Sequence, residues 1–227
     1  GGDETQALVA RALRRHGLDA ARREQALALV SRAAARTLGL TAHPVQLAAA
    51  HALLCGTFAE LATGEGKTLA IAIAAGSAAL AGTPVHVVTA NDYLVRRDAS
   101  DMAPLYEALG LRTDTVCETD SLARRHDAYR ADITYVTARE LVFDYLRDSV
   151  LMPFEPDPLS DAVRGFTEPG RAARRVLQGL CMAIVDEADS VLIDEARLPL
   201  ILARPDTTAI DTDALATALD CARRLQH

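Results

Sequence analysis

The sequence has 227 residues, of which half are hydrophobic and 24% are charged, which is the balance of a globular protein with one large domain or two small ones. This composition excludes a disordered, collagen-like or disulfide-stapled chain. The net charge is −7, with 31 Asp and Glu against 24 Lys and Arg, and aromatic residues make up only 4%. These values weigh against a surface that coats nucleic acid and against a platform on which bases stack.

Residues 1–40 form the first predicted segment, a hairpin of two helices. The stretch from Thr5 to Leu38 is rich in Ala, Leu and Arg, places apolar residues at helical spacing, and is divided at Gly17. Arginines make the outer face of this hairpin basic, namely Arg11, Arg14, Arg15, Arg22 and Arg23. A solvated helix face explains such a charge run more often than contact with lipid or a channel does.

Residues 41–204 form the second predicted segment, in which short apolar strands alternate with helices. Five strands are predicted, at residues 57–62, 84–90, 114–117, 132–137 and 182–186. Strands that are buried on both faces and separated by helices predict an α/β domain with a parallel sheet. A surface excursion rich in Pro and Gly interrupts it at about residues 150–175, and residues 205–227 are predicted to begin a following domain or to form a tail.

One apolar run resembles a membrane span in length. Residues 68–91 contain no Asp, Glu, Lys or Arg, and about 20 apolar residues are enough to cross a bilayer. However, Ala-Gly-Thr-Pro at residues 81–84 breaks the run, and the β-branched residues after it are typical of a strand. We therefore predict a buried helix, a turn and a buried strand.

The clearest chemical signal is the glycine-rich turn Thr-Gly-Glu-Gly-Lys-Thr at residues 63–68, between the first predicted strand and a helix. Such a turn directs backbone N–H groups and a helix N-terminus at one point, where phosphate groups bind. Gly64 and Gly66 would supply the unusual backbone angles. Lys67 would reach the β- and γ-phosphates, and the Thr68 hydroxyl would bind Mg²⁺. Because Leu61 stands where the strict pattern has glycine, the loop matches the shorter, helicase-like form.

A second signal lies at residues 182–189, where an apolar strand ends in Asp186 and Glu187. In phosphate-loop ATPases a carboxylate at this position holds Mg²⁺ through water, and its neighbour can polarise the attacking water as a general base. An acidic helix cap would explain either residue alone. Two adjacent carboxylates at the end of a buried strand, in a chain that also has Lys67, favour an ATPase site.

Gln46 gives a weaker signal, about one helix before the phosphate loop. Its amide could donate to and accept from adenine. For this residue alone, a surface glutamine without a role is the simpler interpretation.

Three long runs resemble the SecA family, the ATPases that drive preproteins through the bacterial SecYEG channel. Residues 85–98 and 185–201 are similar to segments of that family, as are 131–135 taken together with 143–148. The resemblance extends from Gln46 to about residue 202 and implies a RecA-like phosphate-loop domain, the first nucleotide-binding domain of the motor. The chain departs from the family pattern just before Gln46, where Thr41, His43 and Pro44 stand.

The resemblance implies a set of site residues. ATP would bind to Gln46, Thr63, Gly64, Glu65, Gly66, Lys67 and Thr68. Glu187 and Lys67 would be catalytic, and Mg²⁺ would be held by Thr68 directly and by Asp186 through water. A second RecA-like domain would supply arginines that complete the site, so we expect this chain alone to bind nucleotide but to hydrolyse it slowly.

The resemblance also implies partners and a location. The partners would be a SecYEG-like channel and unfolded preproteins, with no nucleic acid, and the protein would be cytoplasmic with peripheral contact at the inner membrane. The oligomeric state stays open.

Two alternative functions are weighed against the translocase motor. A DEAD-box RNA helicase domain is suggested by Asp-Glu-Ala-Asp at residues 186–189, but the Pro-Thr-Arg-Glu-Leu and Thr-Pro-Gly-Arg segments of those helicases are absent from the sequence. The second alternative is a non-catalytic module that binds nucleotide, or binds a partner through the basic N-terminal helices, without turnover.

Overall fold

The centre of the fold is a four-stranded parallel sheet. The computed structural model describes residues 2–151, 175–177 and 179–194, and within them the strands are β1 (Val85–Thr89), β2 (Thr113–Val116), β3 (Ile133–Thr137) and β4 (Met182–Val185). They lie in the order β2-β3-β1-β4, and all three pairs of neighbours are parallel. The α/β class is therefore confirmed, and these four strands begin and end within one residue of their predicted bounds.

Seven helices flank the sheet in the described part of the chain. They are α1 (Gly2–His16), α2 (Ala20–Thr37), α3 (Pro44–Leu54), α4 (Lys67–Leu80), α5 (Asp92–Ala108), α6 (Leu122–Ala128) and α7 (Ala138–Leu151). Gly17, with φ at 72°, follows α1, and the Asp19 carboxylate caps α2 by accepting from the Arg22 N–H. These two residues produce the predicted N-terminal hairpin, which the structure confirms.

Helix α4 is the buried core of the helical layer. All of its side chains from residue 69 to residue 80 are buried, and it packs against α2, α3 and β1. At Gly76 a Cβ would lie 3.2 Å from Val30 Cγ1, so the absence of a side chain allows α2 to approach closely. The prediction of helix, turn and strand for residues 68–91 is confirmed. Among the helices described, none combines the length and apolar composition that crossing a membrane requires.

A smaller apolar cluster covers the opposite face of the sheet, formed by Val88, Val116, Ala128, Tyr129, Val136, Val176 and Leu177. His86 is also buried, and its ring meets that of Tyr129 edge-on, with the ring centroids 5.6 Å apart. Burial lowers the pKa of His86 from its ordinary value of 6.5. The imidazole is therefore neutral near pH 7 and behaves as part of this cluster.

An ion-pair network fastens α6 to α7 beside this cluster. The Arg125 guanidinium, whose side chain is 5% exposed, pairs with the carboxylates of Glu140 and Asp144, and it also donates to the Cys117 carbonyl. The Tyr129 hydroxyl donates to the same Asp144 carboxylate at 3.0 Å. Because every charge has a partner, the ionic attraction and the hydrogen bonds offset the desolvation penalty of burying these groups.

A carboxylate near the C-terminal end of α7 binds the short segment that precedes β4. The Asp148 carboxylate, which is buried, accepts from the N–H groups of Val176 and Leu177 at 3.0 and 2.8 Å. Two charge-assisted bonds therefore hold this short segment before the strand that ends in Asp186. The predicted excursion at about residues 150–175 and the predicted segment 205–227 lie outside the described residues, apart from residues 150, 151 and 175.

The prediction of a fifth strand, at residues 57–62, is wrong. The ends of this segment have partners outside the sheet: the N–H and hydroxyl of Thr57 donate to the Ala52 carbonyl of α3, and the Ala62 N–H donates to the Glu65 carboxylate. Between them, Phe58 is 86% exposed. Since its ends are held by α3 and by the loop that follows, the segment forms no ladder with β4, and the apolar pattern alone could not reveal this.

Replacing Arg125 by Met should destabilise the fold by about 3–5 kcal/mol, because Glu140 and Asp144 lose the buried cation that they share and keep only the more exposed arginines Arg139 and Arg147. The matched control is Arg124→Met, which removes a neighbouring, partly exposed ion pair with Asp114 and should change stability by less than about 1 kcal/mol. Urea unfolding followed by circular dichroism measures both values. Equal effects of the two substitutions would contradict a structural role of the buried network.

Candidate functional site

A cleft of about 650 Å³ opens along the edge of β4 that faces away from β1. One wall is the segment from Thr57 to Leu61, and the other is β4 with the residues that follow it. The cleft has an apolar part, lined by Leu53, Phe58, Ile71, Ile184 and Leu192, and a charged end, lined by Lys67, Asp186 and Glu187. The described structure thus brings together the predicted cation and the two predicted carboxylates.

The loop before α4 contains two glycines in the left-handed region of the backbone. Gly64 and Gly66 have φ angles of 89° and 75°, which side chains other than glycine rarely adopt. Gly66 is the residue that precedes the first turn of α4, and its carbonyl accepts from Leu69 and Ala70. The first N–H groups of a helix have no partner within it, and a helix N-terminus of this kind attracts anions.

Lys67 is the only lysine in the sequence, and the rest of the 24 basic residues are arginine. It is the first residue of α4, is partly buried and lines the cleft. A lysine ammonium is a compact point charge on a flexible stem, whereas arginine is a planar fork, and the two are not interchangeable at a phosphate. The chain uses arginine at every other basic position, and its one lysine stands where the phosphate-loop sequence pattern has lysine.

Two side chains hold the loop from within. Gln46, only 6% exposed, donates from Nε2 to the Glu65 carbonyl at 2.8 Å and accepts at Oε1 from the His43 N–H at 2.9 Å. The Glu65 carboxylate accepts from the Ala62 N–H at 2.9 Å. Gln46 is therefore not the exposed glutamine that its sequence position alone suggested, and Glu65 points back to its own loop.

Asp186 and Glu187 follow β4 directly. The Asp186 N–H donates to the Val88 carbonyl, which extends the pairing with β1, and its Oδ1 accepts from the Glu187 N–H at 3.0 Å. Glu187 has φ at 53°, and it is the one non-glycine residue of the described chain in the left-handed region. A π-helical turn follows at Ser190–Asp194. Backbone strain and π-helical turns both concentrate at functional sites.

The remaining predicted site residues lie beside the cleft. Thr63, Gly64, Glu65, Gly66, Thr68 and Gln46 do not line it; they form the loop, its support and the first turn of α4. Sequence reasoning missed the contact between Gln46 and the loop. The capping-box spacing, a Gln three residues after a helix N-cap, predicts only the bond from the His43 N–H to Gln46, and no local pattern predicts the contact with Glu65.

The residues present fit magnesium and a nucleotide phosphate. The Thr68 hydroxyl and Asp186 carboxylate are hard oxygen donors, which Mg²⁺ prefers, and it commonly takes one or two protein ligands with water and phosphate completing the shell. Within the described residues, no three or more His, Cys, Asp and Glu side chains are grouped so that they could hold a metal ion by themselves. Lys67 and the N-terminus of α4 are suited to the phosphate itself.

Comparison with known proteins gives one consistent family. The SecA DEAD-like domain model matches residues 2–227. The protein translocase subunit SecA 3 of Magnetococcus marinus is 47% identical over 216 residues, covering 95% of this chain and 33% of that protein. The SecA 2 subunit of Bordetella avium is 49% identical, covering 92% and 32%, and SecA of Thermus thermophilus is 45% identical, covering 89% and 19%. The chain therefore spans about a third or less of these relatives' lengths.

Proposed function

The chain belongs to the SecA DEAD-like domain family, and on this basis we propose that it is the ATP-binding motor domain of a SecA-type protein translocase. The observation that carries the proposal is the cleft in which the only lysine lies with two adjacent carboxylates at the end of a core strand. Phosphoryl transfer requires a cation that binds the phosphates, a carboxylate that holds Mg²⁺ and a carboxylate that accepts a proton from the attacking water.

The binding step uses the loop and the start of α4. The backbone N–H groups of residues 64–68 would donate to the phosphates, the α4 N-terminus would add a favourable dipole, and Lys67 would reach the β- and γ-phosphates. Thr63 and Glu65 complete the loop that binds them. Gln46 lies next to this loop, under its carbonyls.

The hydrolysis step uses the residues after β4. Bound Mg²⁺ would neutralise charge on the β- and γ-phosphates. The Thr68 hydroxyl would hold it directly and Asp186 would hold it through water. Glu187, exposed at the mouth of the cleft, accepts a proton from the water that attacks the γ-phosphate.

We propose that hydrolysis is coupled to polypeptide movement. The relatives are named protein translocase subunits, which supports a SecYEG-like channel and unfolded preproteins as partners. ATP would close the cleft between this domain and a second RecA-like domain, and hydrolysis would reopen it. The domain would work in the cytoplasm with peripheral contact at the inner membrane. The family match favours this function over an RNA helicase.

Substituting Lys67 by Ala should weaken the binding of Mg²⁺·ADP by about 10- to 100-fold, because a charge-assisted bond to phosphate is lost. Isothermal titration calorimetry on the 227-residue chain measures this. Arg32→Ala, an equal loss of charge on the exposed face of α2, is the control and should leave affinity unchanged. Unchanged affinity in the Lys67 variant would rule out this cleft as the phosphate site.

Substituting Glu187 by Gln should abolish ATP hydrolysis while changing ATP affinity by less than about twofold, because the general base acts on water and not on the bound nucleotide. Turnover by this chain should already be slow, since arginines from a second domain are worth about 10³-fold or more in related ATPases. Phosphate release under single-turnover conditions gives the rate. Glu60→Gln removes another carboxylate of the same cleft and should leave the rate intact.

If the Glu187 and Glu60 variants hydrolyse ATP at the same rate as the unmodified chain, the general-base role is wrong. A chain that binds nucleotide but shows no turnover above the buffer rate in any form would support the non-catalytic module instead.

A further inference from the structure

We propose that Asp148 is a positioning residue for hydrolysis, which holds the segment before β4 so that Asp186 and Glu187 keep their places at the end of that strand. The inference rests on the proposed function, since it takes the roles of these two carboxylates from there. Asp148 does not line the cleft; it belongs to the last turn of α7, on the other face of the sheet from α4. It would therefore act on the reaction only through the chain that it binds.

The two hydrogen bonds of the Asp148 carboxylate carry the proposal. Oδ1 accepts from the Val176 N–H at 3.0 Å and Oδ2 from the Leu177 N–H at 2.8 Å, so each oxygen holds one of two consecutive peptide groups. Asp148 is only 1% exposed, and it stands where the dipole of α7 disfavours a negative charge, with no basic residue in the same turn. A carboxylate buried at this place is costly unless its oxygens are hydrogen-bonded, so the bonds to residues 176 and 177 stabilise it there.

The side chains of the bound segment lie in the apolar cluster beside the end of β4. Val176 and Leu177 are 6% and 5% exposed and belong to this cluster, which also contains Val88 of β1. Val185, the last residue of β4, packs against the same cluster. Because the two catalytic carboxylates follow Val185 directly, the segment held by Asp148 supports the strand end that carries them.

The end of β4 depends on this support for two reasons. First, β4 is an edge strand of the described sheet and pairs with β1 alone, and its last bond to β1 runs from the Asp186 N–H to the Val88 carbonyl. Second, Glu187 has a φ of 53°, a conformation that costs energy and persists only where the surrounding structure holds it. Release of the segment before β4 would therefore let Glu187 leave the position from which it acts on water.

The phosphate side of the cleft does not share this support. Lys67 is the first residue of α4, which packs against α2, α3 and β1 on the other face of the sheet. Loss of the Asp148 bonds should therefore slow hydrolysis and leave the binding of the phosphates intact. A substitution that only destabilised the fold would lower both.

The first experiment compares Asp148→Asn with the unmodified 227-residue chain. Asparagine has the same size, but its amide has one acceptor oxygen where the carboxylate has two, and it turns an N–H donor toward the second backbone N–H. Phosphate release under single-turnover conditions should be about 10- to 100-fold slower, which is the cost of a small misplacement of a reacting group. The affinity for ADP without Mg²⁺, measured by calorimetry, should change by less than about twofold.

Asp132→Asn is the matched control. The Asp132 carboxylate also accepts from a backbone N–H, that of Arg112 at 2.8 Å, but it lies just before β3, at the opposite edge of the sheet from Asp186 and Glu187. This substitution should leave both the rate and the affinity unchanged. Equal hydrolysis rates in the two variants, or a fall in ADP affinity that matches the fall in rate, would overturn the proposal.

If Asp148→Asn does not fold, Val176→Ala tests the same route, because it keeps the carboxylate and removes part of a side chain that packs in the cluster. A slower hydrolysis rate with unchanged ADP affinity is again the expected result, and an unchanged rate would contradict the proposal.

A second measurement needs no ligand. In the ligand-free chain, amide hydrogen exchange at Asp186 and Glu187 should be about tenfold faster in Asp148→Asn than in Asp132→Asn, because the strand end is no longer held. Exchange in the first turn of α4 should be the same in both variants and serves as the internal reference. Equal exchange at every one of these amides, or an equal increase at all of them, would contradict the positioning role. If the unmodified chain shows no hydrolysis, the proposed function fails at that step, while the exchange rates still decide whether Asp148 holds the end of β4.

Discussion

The left-handed backbone at the start of α4 is the constraint on which the rest of the site depends. Gly66 can hold a φ of 75° because it lacks a side chain, and the helix that begins at Lys67 then places the one lysine of the sequence in the cleft. The Gln46 amide supports this peptide from below. In the proposed function, the backbone groups that bind phosphate are already oriented, so little would have to be reorganised when the anion binds.

The surrounding fold keeps the two halves of the site in place. Buried α4 fixes the loop against α2 and α3, while the pairing of β4 with β1 fixes Asp186 by the bond from its N–H to the Val88 carbonyl. On the other face of the sheet, Asp148 secures the chain before β4, and the network around Arg125 secures the helix that carries Asp148. Residues far from the cleft therefore determine where its carboxylates lie.

Much of this could be predicted from the sequence. Continuous apolar runs separated by helical patterns predicted the parallel sheet, and the glycine spacing predicted the turn at Gly64 and Gly66. Both patterns reflect local geometry. The prediction of a strand at residues 57–62 was wrong. Its apolar residues fit a strand, but the N–H of Thr57 donates to the Ala52 carbonyl and that of Ala62 to the Glu65 carboxylate. The contact of Gln46 with the loop spans 19 residues, and the left-handed Glu187 depends on the chain after β4, so neither could be predicted from a local pattern.

The central claim is that Lys67 lies in a phosphate site, and the sequence allows a direct measurement of this. Because the chain has one lysine, an amine-reactive acylating reagent can modify only Lys67 and the N-terminal amine, and mass spectrometry resolves the two. The account predicts that Mg²⁺·ADP and pyrophosphate each slow acylation of Lys67 by about tenfold or more, while the N-terminal amine reacts at an unchanged rate. Acylation of Lys67 at the same rate with and without saturating ligand would contradict the claim.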